Sequence, residues 1–143
     1  MSLFSGRCHC GSLQLAFVTG FEPANLPLRA CQCSFCRMHG VVSATDARGR
    51  AVIRADSPQH LQRYRFGLGI TDFLLCVECG IYVAAVLQIK GMGYASINAN
   101  VLEVRHLLQQ PAQAVDYSGE NMSQRLARRE KNWTPAVFPG VPA

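Results

Sequence analysis

The stretch "LLCVECGIY" (residues 74–82) places Cys76 and Cys79 in a C-x-x-C-G pattern between two apolar runs. This pattern is typical of a tight knuckle that joins two β-strands, and Gly80 can adopt the positive φ that such a turn requires. The flanking runs "DFLLC" (72–76) and "IYVAAVLQI" (81–89) have the length and composition of strands. We therefore predict a metal-binding turn between two β-strands.

A second cysteine pair lies near the start of the chain, in "GRCHCGS" (6–12). Residues i and i+2 of an extended strand face the same way, so we expect Cys8 and Cys10 to offer both sulfurs to one point. Two sulfurs from each pair complete a tetrahedron, the coordination that structural zinc prefers. The alternatives are iron at the same site, or unrelated buried thiols with no metal. His9, between the two cysteines, is expected to be exposed.

The remaining cysteines, Cys31, Cys33 and Cys36, lie together in "ACQCSFCRMHG" (30–40). Three sulfurs can hold a second metal ion but leave its fourth position to another group. His39 follows at C-x-x-H spacing and can close the site as a fourth ligand. It can equally be an acid/base group beside the metal or a surface residue.

An open zinc site made of three thiolates favours one kind of chemistry. The three thiolates and Zn²⁺ carry a net charge of about −1, so the metal is a weaker Lewis acid than zinc held by neutral histidines. Such a site suits a soft ligand such as a substrate thiol better than water. Arg37, Arg29 and Arg48 are candidates to offset negative charge or bind a carboxylate, although each can simply be a solvated surface residue.

The totals agree with a small globular protein. The chain has 143 residues, of which 49% are hydrophobic and 16% charged, enough for one domain with a core. The net charge of +5 comes from scattered basic residues and does not imply nucleic-acid binding. Seven cysteines, an odd number, argue against a complete disulfide framework. The sequence contains no export signal and no apolar run that spans a bilayer, so we expect a soluble cytoplasmic protein.

The strand pattern continues along most of the chain. "SLQLAFV" (12–18) alternates apolar residues at Leu13, Leu15 and Phe17, which predicts a half-buried strand. Further short strands are predicted at residues 41–46, 51–55, 61–66, 94–98 and 101–107. Only residues 118–133 are predicted to be helical, with Ser118 as N-cap. We expect a mainly β domain over residues 4–116 and a tail over residues 117–143 with one short helix, ending irregularly in "TPAVFPGVPA" (134–143).

In this order and at these distances, "GRCHCGSLQLAF", "ACQCSFCRMHG" and "FLLCVECGIYV" resemble the family of glutathione-dependent formaldehyde-activating enzymes, which shares its domain with centromere protein V. The resemblance covers roughly residues 4–116, and all seven cysteines match metal ligands of that family. It implies an Mss4-like fold of coiled antiparallel sheets around zinc. It also implies two zinc ions per chain: a structural ion on Cys8, Cys10, Cys76 and Cys79, and a catalytic ion on Cys31, Cys33 and Cys36, where the glutathione sulfur coordinates.

The activity that the resemblance implies is that of a carbon–sulfur lyase acting on S-hydroxymethylglutathione, the adduct of glutathione and formaldehyde. The sequence departs from the family in one relevant place. Many members carry Pro-x-x-His-Ile after the β domain, whereas this chain has "PAQAV" (111–115), with Ala114 at the histidine position. The tail also differs from that of the formaldehyde-processing members. The resemblance therefore leaves the thiol and the aldehyde open.

Two functions follow from these observations. The first is a zinc-dependent carbon–sulfur lyase that acts on thiol–aldehyde adducts with glutathione or another small thiol. The second is a non-enzymatic zinc module that binds a partner. The basic tail bears on this choice because Arg125, Arg128 and Arg129 share a helical face that can be solvated, cover the metal site or bind a partner. We expect Trp133 and Phe138 to anchor the tail to the sheet. The sequence gives no indication of oligomeric state.

Overall fold

The computed structural model describes residues 1–141, which form a mainly β structure, as the sequence predicts. It has two α-helices, α1 (Ser34–His39) and α2 (Met122–Asn132). Its strands are β1 (Ser2–Arg7), β2 (Leu13–Thr19), β3 (Leu28–Cys31), β4 (Ser43–Ala44), β5 (Arg50–Ala55), β6 (Leu61–Tyr64), β7 (Asp72–Cys76), β8 (Tyr82–Ile89), β9 (Met92–Asn98), β10 (Ala112–Val115) and β11 (Thr134–Val137). Neither α-helix of these residues is long and apolar enough to cross a bilayer.

The strands form one open mixed sheet. Its main path runs β1-β2-β5-β11-β9-β4-β3-β10, and β8, β7 and β6 extend in that order from the other edge of β9. The pairs β3–β10 and β5–β11 are parallel. The expectation of purely antiparallel sheets is therefore wrong for these two pairs. Parallel neighbours need long connections, and both pairs join strands that lie far apart in the sequence.

The predicted alternation of β2 is confirmed, since Leu13, Leu15 and Phe17 are all buried. They belong to a large apolar core between the sheet and the segments that cross it. A second buried cluster lies beside it and consists mainly of aromatic side chains, among them Phe35, Phe73, Tyr82 and Trp133. β8 is buried along nearly its whole length, which explains its continuous apolar sequence.

The segment after residue 116 supplies α2 and one strand of the sheet. The prediction that residues 134–143 are irregular is wrong for residues 134–137, because β11 pairs with β5 on one edge and β9 on the other. Pro135 lacks the N–H that a strand uses to pair with its neighbour. Each edge of β11 pairs over only two residues, so Pro135 interrupts little of the ladder. Trp133 and Phe138 are buried, as expected for anchors.

The helical segments differ from the prediction. α2 starts at Met122 rather than after Ser118, because Asn121 and Gln124 form a reciprocal capping box. The predicted strand at residues 101–107 forms 3₁₀ turns, Ala99–Val101 and Glu103–Leu107, and the Asn98 side chain caps the first of them. The sequence carries no predicted helix at α1, which has only six residues, and no predicted strand at β1, β3 or β10.

Candidate metal centres

Four cysteines from two distant turns converge at one point. Their sulfur atoms all lie within 4.8 Å of one another, and we call Cys8, Cys10, Cys76 and Cys79 the four-cysteine group. The Cys8 and Cys10 sulfurs are 3.8 Å apart, and those of Cys10 and Cys76 are 3.6 Å apart. A tetrahedral zinc ion with Zn–S bonds of about 2.3 Å holds its sulfurs about 3.8 Å apart. These separations therefore suit a tetrahedral metal ion and are far too long for disulfide bonds.

The two halves of this group are built differently from one another. The expectation that Cys8 and Cys10 lie on a strand is wrong, because β1 ends at Arg7. Residues 8–11 form a turn in which the Gly11 N–H donates to the Cys8 carbonyl at 3.1 Å. The knuckle at Cys76 is confirmed, since the Gly80 N–H donates to the Cys76 carbonyl at 2.8 Å and Gly80 has a φ of 79°. His9 is exposed, as expected.

Burial and hydrogen bonding shift the pKa values of these thiols in opposite directions. Cys8 and Cys76 are each only 1% exposed, and burial raises the pKa of Cys76 to about 12. Hydrogen bonding with Ser12 lowers the pKa of Cys10 to about 6. Four adjacent thiolates repel one another, so full ionisation requires a cation. The donor set fits a divalent metal that prefers sulfur.

The other three cysteines come from one short segment. Cys31 ends β3, Cys33 is the N-cap of α1, and Cys36 lies within that helix. The Cys36 N–H donates to the Cys33 sulfur at 3.4 Å, so the helix start itself orients the Cys33 sulfur. All three sulfurs lie within 4.8 Å of one another, and we call them the three-cysteine group. Gly40, with a φ of 61°, ends α1 directly after the group.

The three sulfurs share negative charge unequally. Hydrogen bonds from Cys31 and Cys36 lower the pKa of Cys33 to about 2. Hydrogen bonding with Cys33 raises the pKa of Cys31, and hydrogen bonding with Cys31 and then Cys33 raises the pKa of Cys36. The group therefore favours one thiolate and two thiols, and a divalent cation would supply the charge needed to ionise all three.

His39 does not complete this group. Its ring packs on the Phe35 ring with centroids 4.3 Å apart, and the residue is exposed. Within residues 1–141, no histidine nitrogen, carboxylate oxygen or further sulfur joins the three cysteines to form a group of mutually close ligand atoms. The interpretation of His39 as fourth ligand is therefore not supported by its position.

The three-cysteine group opens into a cavity of about 440 Å³, a size typical of small-molecule sites. Its apolar wall includes Phe66, Phe73, Tyr82 and Trp133. Tyr82 is 4% exposed, and burial raises its pKa well above the ordinary value. Its hydroxyl therefore stays protonated at neutral pH. None of the cysteines of the four-cysteine group lines this cavity.

The polar wall of the cavity contains four arginines, Arg29 from β3 and Arg125, Arg128 and Arg129 from α2. Of the three arginines that the sequence analysis linked to the cluster, only Arg29 lines the cavity; Arg37 and Arg48 are exposed elsewhere. Glu120 forms ion pairs with Arg128 at 2.8 Å and Arg125 at 3.5 Å.

Arg129 lies deepest among these arginines. It is 9% exposed, donates to the Thr71 hydroxyl and lies over the Trp133 ring, 4.4 Å from its centroid. Burial and the nearby Arg128 lower its pKa to about 10, so it stays charged at neutral pH.

Comparison with known proteins adds a likeness in fold. No family model and no curated protein matches the chain. Among solved structures, the chain is similar to a Rhodobacter sphaeroides protein whose crystal structure was determined as a structural genomics target. The two are 26% identical with a TM-score of 0.57, over 78% of this chain and 99% of that chain. That description carries no activity, so the likeness concerns the architecture.

Proposed function

We propose that this protein is a zinc-dependent carbon–sulfur lyase that makes or cleaves thiol–aldehyde adducts of the S-hydroxymethylglutathione type. One observation carries the proposal: of two cysteine groups, one has four sulfurs, whereas the other has three and faces a cavity. A protein that used both groups only to hold its fold would gain nothing from exposing three sulfurs to a pocket of ligand size.

We also propose membership of the family that contains the glutathione-dependent formaldehyde-activating enzymes and centromere protein V, with an Mss4-like fold. The support is the match of the three cysteine motifs and the way in which the chain groups the cysteines, four and three. Seven free cysteines suit a reducing compartment, which favours the cytoplasm.

Zinc is the metal that we assign to both groups, because tetrahedral sulfur sites select zinc over harder cations. On Cys31, Cys33 and Cys36, zinc would lower the pKa of a substrate thiol and so supply a thiolate at neutral pH. The three cysteines thus act as ligands, and the side chains around the cavity position the aldehyde.

In the synthetic direction, the substrate sulfur bonds to the aldehyde carbon while the carbonyl oxygen gains a proton. The proton that this oxygen gains is the one that the substrate thiol loses. Tyr82 is the candidate hydrogen-bond donor to the oxygen, since its hydroxyl stays protonated and the residue lines the same cavity as Cys36. Phe66 and Phe73 supply an apolar wall beside the reacting groups. In the reverse direction the carbon–sulfur bond breaks, and the proton returns from the adduct hydroxyl.

The departure from the family at Ala114 lies beside this site. Ala114 on β10 pairs with Ala30, and Val115 pairs with Cys31. A histidine at position 114 would therefore stand next to the strand that carries the first cysteine of the group. Its replacement by alanine supports a substrate that differs from S-hydroxymethylglutathione in its thiol, its aldehyde or both.

The alternative is a non-enzymatic module that binds a partner through its basic tail. Its main support in the sequence was a basic helical face. In the structure the side chains of Arg125 and Arg128 are only 19% and 17% exposed, and both pair with Glu120. They form part of the cavity wall, an arrangement that favours a small ligand over a nucleic acid.

The test is adduct formation by the zinc-loaded protein. Glutathione and formaldehyde are mixed at neutral pH with and without protein, and the adduct is followed by NMR with small thiols and aldehydes as further substrate pairs. We expect a rate above the spontaneous rate for at least one pair, and we expect Cys33→Ser to remove it. A protein that accelerates no pair, while it holds two zinc ions, would contradict the lyase and favour the binding module.

A further inference from the structure

The cavity beside the three-cysteine group contains more positive charge than its own side chains neutralise. Four arginines line it, Glu120 pairs with two of them, and the three-cysteine group adds about one further negative charge, so the arginines remain in excess. The ion pairs among residues 1–141 include none for Arg29 or Arg129, although both are largely withdrawn from solvent. Asp116 lines the cavity but is exposed, and its carboxylate accepts the Ser118 N–H at 2.9 Å.

Arg129 is the most buried of the cavity arginines that have no anionic partner. Its side chain donates to Thr71 and packs on Trp133, but its buried Nε atom has no hydrogen-bond partner. Burial of a guanidinium is unfavourable unless an anion and further hydrogen bonds compensate for the lost water. Arg125 Nε is buried in the same way, but Arg125 pairs with Glu120, whereas Arg129 lines the cavity with no carboxylate of residues 1–141 paired to it. The cavity is therefore the place from which an anion can compensate for the buried charge of Arg129.

A carboxylate is the anion that this arrangement fits best. The planar guanidinium presents parallel N–H donors that match the two oxygens of a carboxylate. The Trp133 ring and the Thr71 hydroxyl hold the Arg129 side chain in place, so little side-chain entropy is lost when a ligand binds. Arg29, whose side chain donates to the Thr45 hydroxyl, adds a second positive charge to the same cavity.

We propose that Arg129, assisted by Arg29, binds a carboxylate of the substrate thiol and is thereby the residue that sets the specificity of this site. This inference rests on the proposed function for the position of the substrate sulfur at the three-cysteine group. It assigns α2 a specificity role: the helix selects the thiol, whose sulfur the metal held by the three cysteines would bind.

The experiment compares two thiols, 3-mercaptopropionate and its methyl ester, of which only the first carries a carboxylate. The dissociation constant of each is measured by calorimetry with zinc-loaded protein at neutral pH. We expect the acid to bind at least about tenfold more tightly than the ester, a preference of about 1.4 kcal/mol. In Arg129→Gln the preference should fall to about twofold or less, with the affinity for the ester unchanged.

Two further variants serve as controls. Arg54→Gln removes an exposed arginine of β5 that does not line the cavity, and it should keep the full preference. Arg129→Lys keeps the charge but loses the paired donors, and it should give an intermediate preference. This lysine variant also provides the measurement if the glutamine variant does not fold.

The outcomes separate the two proposals. Equal binding of acid and ester by the unaltered protein would overturn the carboxylate site and leave the sulfur site standing. A preference that survives in both Arg129 variants would overturn the role of Arg129. Loss of zinc from Arg129→Gln would show that Arg129 balances the charge of the cysteines, and this too would overturn the inference. Failure of both thiols to bind would overturn the proposed function together with the inference.

Discussion

The four-cysteine group and the three-cysteine group use the same chemical donor in two different settings. The first joins the β1–β2 turn to the β7–β8 turn, and two of its cysteines, Cys8 and Cys76, belong to the main core. The second lies within residues 31–36 and lines a cavity. One group thus connects segments that are more than sixty residues apart, whereas the other connects nothing that the backbone does not already hold together.

This difference indicates what each metal ion would contribute. A metal that links distant turns adds its binding energy to folding, because the unfolded chain does not hold those four sulfurs together. A metal on a local segment contributes less to the fold, and its remaining coordination position is available to a ligand. The same residue type therefore serves stability at one site and chemistry at the other.

The largest expected effect is the loss of the four-cysteine group. Cys79→Ser removes one of its sulfurs, and we expect the protein to lose its stable fold, because structural zinc contributes on the order of 10 kcal/mol in small zinc domains. Circular dichroism and thermal melting measure the result. Normal solubility and an unchanged melting temperature would contradict the structural role of this group.

The matched change in the other group should have a much smaller effect on the fold. We expect Cys33→Ser to lower the zinc content from about two ions per chain to about one. The free energy of unfolding should fall by about 2 kcal/mol, which lowers the melting temperature by about 4–8 °C. Metal analysis and thermal melting on the same sample test both values. Unfolding as complete as that of Cys79→Ser would remove the distinction between the two groups.

The smallest expected effect on stability comes from the ion pair that Glu120 forms with α2, the helix beside the three-cysteine group. Glu120 accepts from Arg128 at 2.8 and 3.0 Å, and its side chain is 19% exposed. Glu120→Gln should lower the free energy of unfolding by about 1 kcal/mol at neutral pH and leave both zinc ions bound. Exposed Glu103 provides the control, since Glu103→Gln should change stability little.

The difference in stability between the unaltered protein and Glu120→Gln should depend on pH in a definite direction. The hydrogen bonds from Arg128 hold the pKa of Glu120 below its usual value. A lowered carboxyl pKa stabilises the fold above the unfolded pKa of about 4.3, and this contribution is lost as the pH falls through the folded value. The stability difference between the unaltered protein and Glu120→Gln should therefore narrow in acid. Denaturant titrations of both chains across pH measure it, and a difference that widens in acid would contradict the ion-pair account.

The features that could be predicted from the sequence are those that depend on residues close together in the chain. The alternation in β2 and the C-x-x-C-G knuckle depend on neighbouring residues alone, and the structure confirms both. The grouping of seven cysteines into four and three followed from motif spacing and the number of ligands. These features need no knowledge of distant contacts.

The parts that the sequence did not predict depend on such contacts. β11 is four residues long and contains a proline. It becomes a strand because β5 pairs with it on one side and β9 on the other. Arg129 is one of three basic residues on a helical face in the sequence, and the docking of α2 beside Thr71 turns it into the cavity. An arginine directly after another arginine and four residues before a tryptophan gave no signal strong enough to distinguish it.

The position of β11 has a consequence for the order in which the chain folds. β5 ends at Ala55 and β9 at Asn98, but the strand that joins them begins only at Thr134. During synthesis both strands therefore exist with open edges before their shared neighbour is made, and open edges are where chains associate wrongly. The sheet is therefore completed last at its centre, where β11 covers two residues of each neighbour.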